Sequence, residues 1–239
     1  MISGALGVIR TLLRRRPPVP RTPSPINLPA RRLGTPYGGY AVIEHLLDPN
    51  AVVYSFGIGE DISFDLELIR ARGCQVHAFD PTPRVHEWLA TQQLPAQMSV
   101  HPFGLSDHDG VSSFTPPANP AHVSLSVVQK PRRNAPQAQL EVRTLATLMK
   151  MLSHSQIDVL KMDIEGAEYA VIEALAAGTL RPGQILVEFH HLQPGITVAQ
   201  TERALATLTS LDYSIFDIQP GHCEFSLIHH SELARAQRG

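Results

Sequence analysis

The stretch Asp158-Val-Leu-Lys-Met-Asp-Ile-Glu-Gly-Ala-Glu-Tyr169 restricts the possible folds of this chain more than any other. Ile157, Val159, Leu160 and Met162 form a short apolar run, which reads as a strand covered on both faces. Gly166 breaks the run, and Val171, Ile172, Leu175 and Ala176 then recur at helical spacing. A buried strand leading straight into a helix fits an open α/β sheet, where ligands bind at the carboxyl ends of the strands. Asp163, Glu165 and Glu168 crowd that end. Acids at a helix start are also ordinary dipole partners. Three within six residues, one still on the strand, favour a site.

At 239 residues the chain suits one α/β domain with a single sizeable core. A formal charge of −2 gives no global attraction to nucleic acid. Cys74 and Cys223 have no metal spacing and sit in apolar runs, so buried thiols in a reducing, cytoplasmic compartment are expected. No apolar run reaches the ~18 residues of a membrane span. Residues 1–33 form a separate basic, proline-rich arm, expected to be flexible. Seven arginines and no acid precede Glu44, and Ile2, Leu6, Ile9, Leu12 and Leu13 share one face of a short helix closed by Arg14 to Arg16. A disordered tail, a helix docking a partner or a membrane surface, and a transit peptide all fit; a tail or docking arm is favoured. The domain itself is expected over 34–233, with a tail at 234–239.

Within the domain, Tyr37 and Tyr40 lie in a glycine-rich loop that reads as a flap or a turn, and Ala41 to Leu47 looks helical. Val52 to Phe56 reads as the first buried strand. Ser63 is expected to cap a helix running to Arg72, and Cys74 to Phe79 is the second strand, ending in Asp80-Pro81. Strand, Gly-x-Gly turn, helix and strand thus lead to an acid 21 residues beyond Gly59, the arrangement of a nucleotide site in which the acid accepts the ribose hydroxyls. Ile62 replaces the third glycine of the dinucleotide fingerprint, which argues against NAD or FAD and for a nucleoside without phosphates. Further along come a helix over Pro83 to Leu94, a strand over Met98 to His101, and Ser106 and Asp107 at a strand end suited to a purine amino group. Residues 111–140, including Lys130 to Arg133, read as loop and edge structure, with substrate recognition their expected role. Thr144 caps a helix to Met151. A strand over Gln184 to Phe189 runs into His190-His191, a helix covers Ala199 to Leu211, and Tyr213 to Ile218 with Cys223 to Ile228 make an antiparallel hairpin.

Residues 52 to 229 resemble the FkbM-type S-adenosylmethionine-dependent methyltransferases. The motifs are Tyr54-Ser-Phe-Gly-Ile-Gly-Glu-Asp61, His77-Ala-Phe-Asp-Pro81, Gly104-Leu-Ser-Asp107, Leu160-Lys-Met-Asp-Ile-Glu-Gly-Ala-Glu168 and Val187-Glu-Phe-His190. The resemblance implies a Rossmann-like seven-stranded sheet, mostly parallel, with a C-terminal antiparallel hairpin. It implies S-adenosylmethionine contacts from Phe56, Gly57, Gly59, Glu60, Asp80, Pro81, Ser106, Asp107 and Asp163. The Gly57–Gly59 loop lies under the methionine end, Asp80 holds the ribose, Asp107 lies near the adenine, and Asp163 borders the sulfonium. Ser55 stands where many such enzymes carry an acid, so Glu60 or Asp61 becomes the candidate for the methionine ammonium.

Methyl transfer to an oxygen needs a base for the hydroxyl proton. Alternation along Glu188-Phe-His190 puts Glu188 and His190 on one face, so Asp163, Glu188 and His190 are the candidate catalytic residues, with His190 or His191 as base. Asp163, Glu188 and His190 also make a candidate set for Mg²⁺ or Mn²⁺, although carboxylates binding an ammonium have the same sequence. The expected reaction is O-methylation of a small hydroxylated acceptor, a sugar or secondary metabolite. A non-catalytic methyltransferase-like binding module is the alternative, and a nicotinamide-dependent oxidoreductase is disfavoured.

Overall fold

The computed structural model describes residues 18–115 and 137–237. The helix expected over Ile2–Leu13, the Arg14–Arg16 run and the basic Lys130–Arg133 segment lie outside the described residues. The strands are β1 (Arg31–Leu33), β2 (Tyr40–Val42), β3 (Val52–Phe56), β4 (Gln75–Phe79), β5 (Met98–His101), β6 (Gly104–Leu105), β7 (Gly110–Phe114), β8 (Ala138–Arg143), β9 (Val159–Met162), β10 (Gln184–Glu188), β11 (Tyr213–Ile218) and β12 (Glu224–His229). The helices are α1 (Ser63–Arg72), α2 (Pro83–Leu89), α3 (Leu145–Leu152), α4 (Glu168–Ala177), α5 (Val198–Ser210) and α6 (His230–Ala236).

Seven strands form the central sheet in the order β11-β12-β10-β9-β3-β4-β5. Strands β10, β9, β3, β4 and β5 run parallel, and β12 and β11 close one edge antiparallel, as expected of the C-terminal hairpin. Alternation splits the core between the two faces. Val53, Val159 and Leu186 pack with α1, α2 and α6, whereas Tyr54, Leu160, Ile185 and Val187 pack with α3, α4 and α5. From β3 the chain moves outward to β4 and β5, then returns to place β9 on the other side of β3. The order therefore reverses between β3 and β9, which opens a crevice beyond their carboxyl ends.

Several local expectations are corrected. Ala41 to Leu47 is not a helix; β2 pairs with β1, and only a 3₁₀ turn follows at Glu44–Leu46. The buried Gln184 clamps this segment, accepting from Ile43 N at 2.8 Å and donating to Ile43 O at 3.2 Å. Ser63 does not cap α1. The Asp61 carboxylate accepts from Ser63 N at 2.9 Å, and the Ser63 hydroxyl accepts from Thr35 N. Thr144 does cap α3 through Thr147 N. Helix α2 ends at Leu89, five residues short of its expected limit.

The arm is not separate from the domain at its described end. Prolines keep residues 18–30 irregular, yet Ile26 N donates to Ile215 O of β11 at 2.8 Å, and Ile26 and Leu28 pack on the core. Leu33, the expected last arm residue, is wholly buried in β1. The expected C-terminal tail likewise begins inside α6, whose Ala236 is buried. Among the described residues no helix is long and apolar enough to cross a membrane.

A histidine cluster occupies the α3 side of β3–β5. His77 Nδ1 lies 3.1 Å from His101 Nε2, and the Tyr54 hydroxyl bonds His154 Nδ1 at 2.9 Å. Burial, followed by the neighbouring His154 and His101, lowers His77 to about 4, and burial also lowers His101 and His154. These rings are neutral in the fold but take up protons in the unfolded chain near pH 6.5. Stability should therefore be full above about pH 6.5 and fall as pH drops toward 4. With partial exposure the His77 share is on the order of 1 kcal/mol, about 2–4 °C in a chain of this size. Thermal unfolding at pH 7.5 and 5 checks this, and His77→Phe should narrow the difference.

Candidate active site

The crevice beyond β3 and β9 holds a cavity of about 340 Å³, within the range of small-molecule sites. Two strand ends make it. Gly57 follows β3 with φ +69, and a Cβ there would stand 1.6 Å from the Asp163 carbonyl oxygen that follows β9. Only glycine lets the two backbones approach this closely. Gly57 N donates to Phe79 O at 3.0 Å and Asp163 N to Phe56 O at 3.2 Å, so β4, β3 and β9 are joined at their ends.

Of the residues expected to hold a cofactor, Phe56, Gly57, Gly59, Glu60, Asp80, Pro81 and Asp163 line this cavity. Asp80 is buried at the end of β4; its oxygens accept from Gly59 N at 3.1 Å and Thr82 N at 2.9 Å. Burial nevertheless raises its pKa. The Glu60 carboxylate pairs with Arg84 at 2.9 Å, and Asp61 is held by Thr35 Oγ1 at 2.6 Å and by Ser63. Ser106 and Asp107 do not reach the cavity. Strand β6 joins β8 and β7 in a separate small sheet, and the turn after it carries both outward, where Asp107 bonds His108 at 2.8 Å. In their place Gly104, Leu105 and Phe114 of the small sheet, with Phe79 and Pro81, line an apolar slot.

Of the catalytic candidates, only Asp163 lines the cavity. Behind it, the ends of β9 and β10 bring His190 beside Asp163, with Glu168 of α4 as an added member. Glu168, wholly buried at the start of α4, accepts from His190 N at 3.0 Å, from His190 Nδ1 at 3.1 Å and from Gly166 N at 2.9 Å. His190 Nε2 faces Asp163 Oδ1 and Glu165 Oε2, each at 3.5 Å. Burial opposes charge on this ring, but the Asp163 and Glu168 carboxylates outweigh it and raise the pKa to about 11. These carboxylates favour the protonated ring, which makes His190 a weaker candidate for the general base than an ordinary imidazole. Burial, then Asp163, pushes Glu188 up to about 8. His191 is buried against Thr201, away from the cavity.

One contributor escaped the sequence analysis, and three others have roles there that the sequence left open. Lys161, buried in the middle of β9, points to the α1 side, where its ammonium lies 3.4 Å from Gly57 O and 5.1 Å from the Tyr40 ring centroid. The signal was a charged residue inside a fully buried strand. Tyr37 and Tyr40 cover the same end of the cavity, and the Tyr37 phenol is raised by burial and then by Asp163, Glu188 and Glu165. Glu165, in a left-handed backbone conformation (φ +53) between β9 and α4, lines the cavity as well.

A family model described as the methyltransferase FkbM domain matches residues 52–215. The chain belongs to this family. Among curated relatives, the probable methyltransferase-like protein 24 of Rattus norvegicus is 31% identical over 156 residues, covering 64% of this chain and 36% of the relative. The Homo sapiens protein of the same description is 30% identical over 156 residues, with the same coverage. The chain thus spans little more than a third of the length of these relatives. A solved FkbM methyltransferase from Methylobacillus flagellatus KT aligns with a TM-score of 0.46 at 13% identity, over 76% of this chain and 44% of that one. Aeropyrum pernix fibrillarin with bound S-adenosyl-L-methionine aligns with a TM-score of 0.40 at 12% identity, over 87% and 84%.

The close approach at Gly57 predicts a sharp contrast. Gly57→Ala drives a methyl group into a backbone carbonyl that cannot move alone, and should lose more than about 4 kcal/mol. Gly178→Ala meets only an ordinary 3.5 Å contact and should stay within about 1 kcal/mol of wild type by denaturant unfolding. Glu168→Ala strands three buried donors and a buried cation, and should lose about 3–5 kcal/mol in the same measurement.

Proposed function

We propose that this domain transfers a methyl group from S-adenosylmethionine to an oxygen of a small hydroxylated acceptor, a sugar or secondary metabolite. The observation that carries the choice of cofactor is the Asp61 carboxylate, which occupies the N-terminus of α1 by accepting from Ser63 N at 2.9 Å. A pyrophosphate needs that helix terminus, and an anion already there repels it. A nucleoside without phosphates meets no such conflict.

The residues present fit that cofactor. Asp80 keeps a second lone pair on each oxygen for the ribose hydroxyls, beyond those used by Gly59 and Thr82. The slot of Phe79, Pro81, Leu105 and Phe114 suits a flat purine. At the other end Asp163, Glu165 and Asp61 supply negative charge for the sulfonium and ammonium, the role that Ser55 leaves open. When bound, S-adenosylmethionine supplies a methyl carbon on a positively charged sulfur. The chain then contributes chiefly orientation and exclusion of water. Tyr37 and Tyr40 wall the reacting end. His190 faces Asp163 Oδ1, which leaves Oδ2 to accept the acceptor's hydroxyl proton. The protonated His190 offsets the acids around it and keeps Asp163 in place.

Calorimetric titration should show S-adenosylmethionine binding that weakens at least tenfold to a hundredfold in Asp80→Ala, from the loss of charge-assisted bonds of about 1.5–3 kcal/mol each. Unchanged affinity would remove Asp80 from the site, and tighter binding of NAD(H) than of S-adenosylmethionine would overturn the cofactor. Asp163→Asn should weaken cofactor binding by less than about tenfold, since Glu165 and Asp61 remain, and lose at least about a hundredfold in methyl transfer from labelled cofactor to a hydroxylated acceptor.

A further inference from the structure

His190 is more closely directed than an ion pair requires. Its side chain is only 8% exposed, and Glu168 holds its Nδ1 side so that Nε2 points between Asp163 Oδ1 and Glu165 Oε2. At 3.5 Å both contacts are long for a hydrogen bond, and Glu165 Oε2 is also steadied by Gln193 Nε2, which donates to it. Two donors held about 2.1 Å from a common tetrahedral cation lie about 3.4 Å apart. The three donor atoms also lie within 4.8 Å of one another. We propose that Asp163, Glu165 and His190 form a binding site for a divalent transition-metal cation of the Zn²⁺ or Co²⁺ class.

The surroundings fit this assignment. A buried carboxylate on the far nitrogen is the usual way a metal-bound imidazole is oriented, and Glu168 occupies that position. Asp163 and Glu165 line the cavity, so the fourth position faces the space where an acceptor enters. An imidazole donor and a spacing of 3.5 Å favour Zn²⁺ or Co²⁺ over Mg²⁺, which prefers an all-oxygen octahedron. The ligand set differs from the sequence expectation, because Glu165 replaces Glu188. Without a cation, a proton on Nε2 offsets the same acids; the metal displaces it. The site rests on geometry alone and holds whether or not the domain methylates an oxygen.

Co²⁺ is the probe, since its visible absorption is intense in four- or five-coordinate sites and weak in octahedral ones. The full chain, stripped with a chelator, should bind one equivalent with the intense band and release it to Zn²⁺. Glu165→Gln and His190→Ala should each abolish the band and weaken binding at least tenfold. Glu168→Gln, acting through His190, should weaken it about 10–100-fold while retaining the band at saturating cobalt. His77→Phe should leave both band and affinity intact. Glu165 lies in a turn, so Glu165→Gln keeps the test decisive if His190→Ala unfolds, with circular dichroism as the check. The proposal is overturned if no stoichiometric cobalt binds or if only the weak octahedral spectrum appears. A band that survives Glu165→Gln, or that His77→Phe removes, overturns it equally.

Discussion

The contact of Gly57 with the Asp163 backbone is the constraint on which the rest depends. The sheet order reverses between β3 and β9, and a reversal opens a crevice only where both strand ends stop at the same level. Gly57 sets that level. Because its Cα lies against the Asp163 carbonyl, the turn after β3 and the turn after β9 become one wall. Asp80 then faces Gly59 across the first turn, and Asp163 and Glu165 project from the second.

Charge at the methionine end of this wall is arranged in depth. Glu168, wholly buried, is satisfied by three donors and carries His190 with it. His190, just after β10, faces Asp163 and Glu165, while Lys161 lies on the opposite face of the sheet near Tyr40. Buried ions of this kind contribute little net stability, but each is costly to leave unpaired. The acids in the opening motif therefore divide by depth: Glu168 organises, and Asp163 and Glu165 face the cavity.

Much of this was legible from residues. The strand of Val159–Met162, the helix after Gly166, the Asp80 strand end and the terminal hairpin all follow from apolar spacing and turn chemistry. What failed were features set by distant partners. Ala41 to Leu47 has helical spacing, but Gln184, 141 residues away from Ile43, holds its backbone instead. Ser106 and Asp107 sit at a strand end as read, yet that strand pairs with β8 and turns them away from the cavity. The surroundings of His190 were likewise invisible in the sequence; the charge of a histidine depends on which carboxylates the fold gathers round it.

The strap formed by residues 20–33 has a consequence for the sheet as a whole. An open edge strand offers its backbone to any passing strand, and β11 is such an edge. Ile26 occupies Ile215 there, but the prolines at 20, 23, 25 and 29 have no N–H with which to continue a ladder. The sheet edge is therefore met at Ile215 without being extended, by a segment whose prolines cannot carry the ladder further.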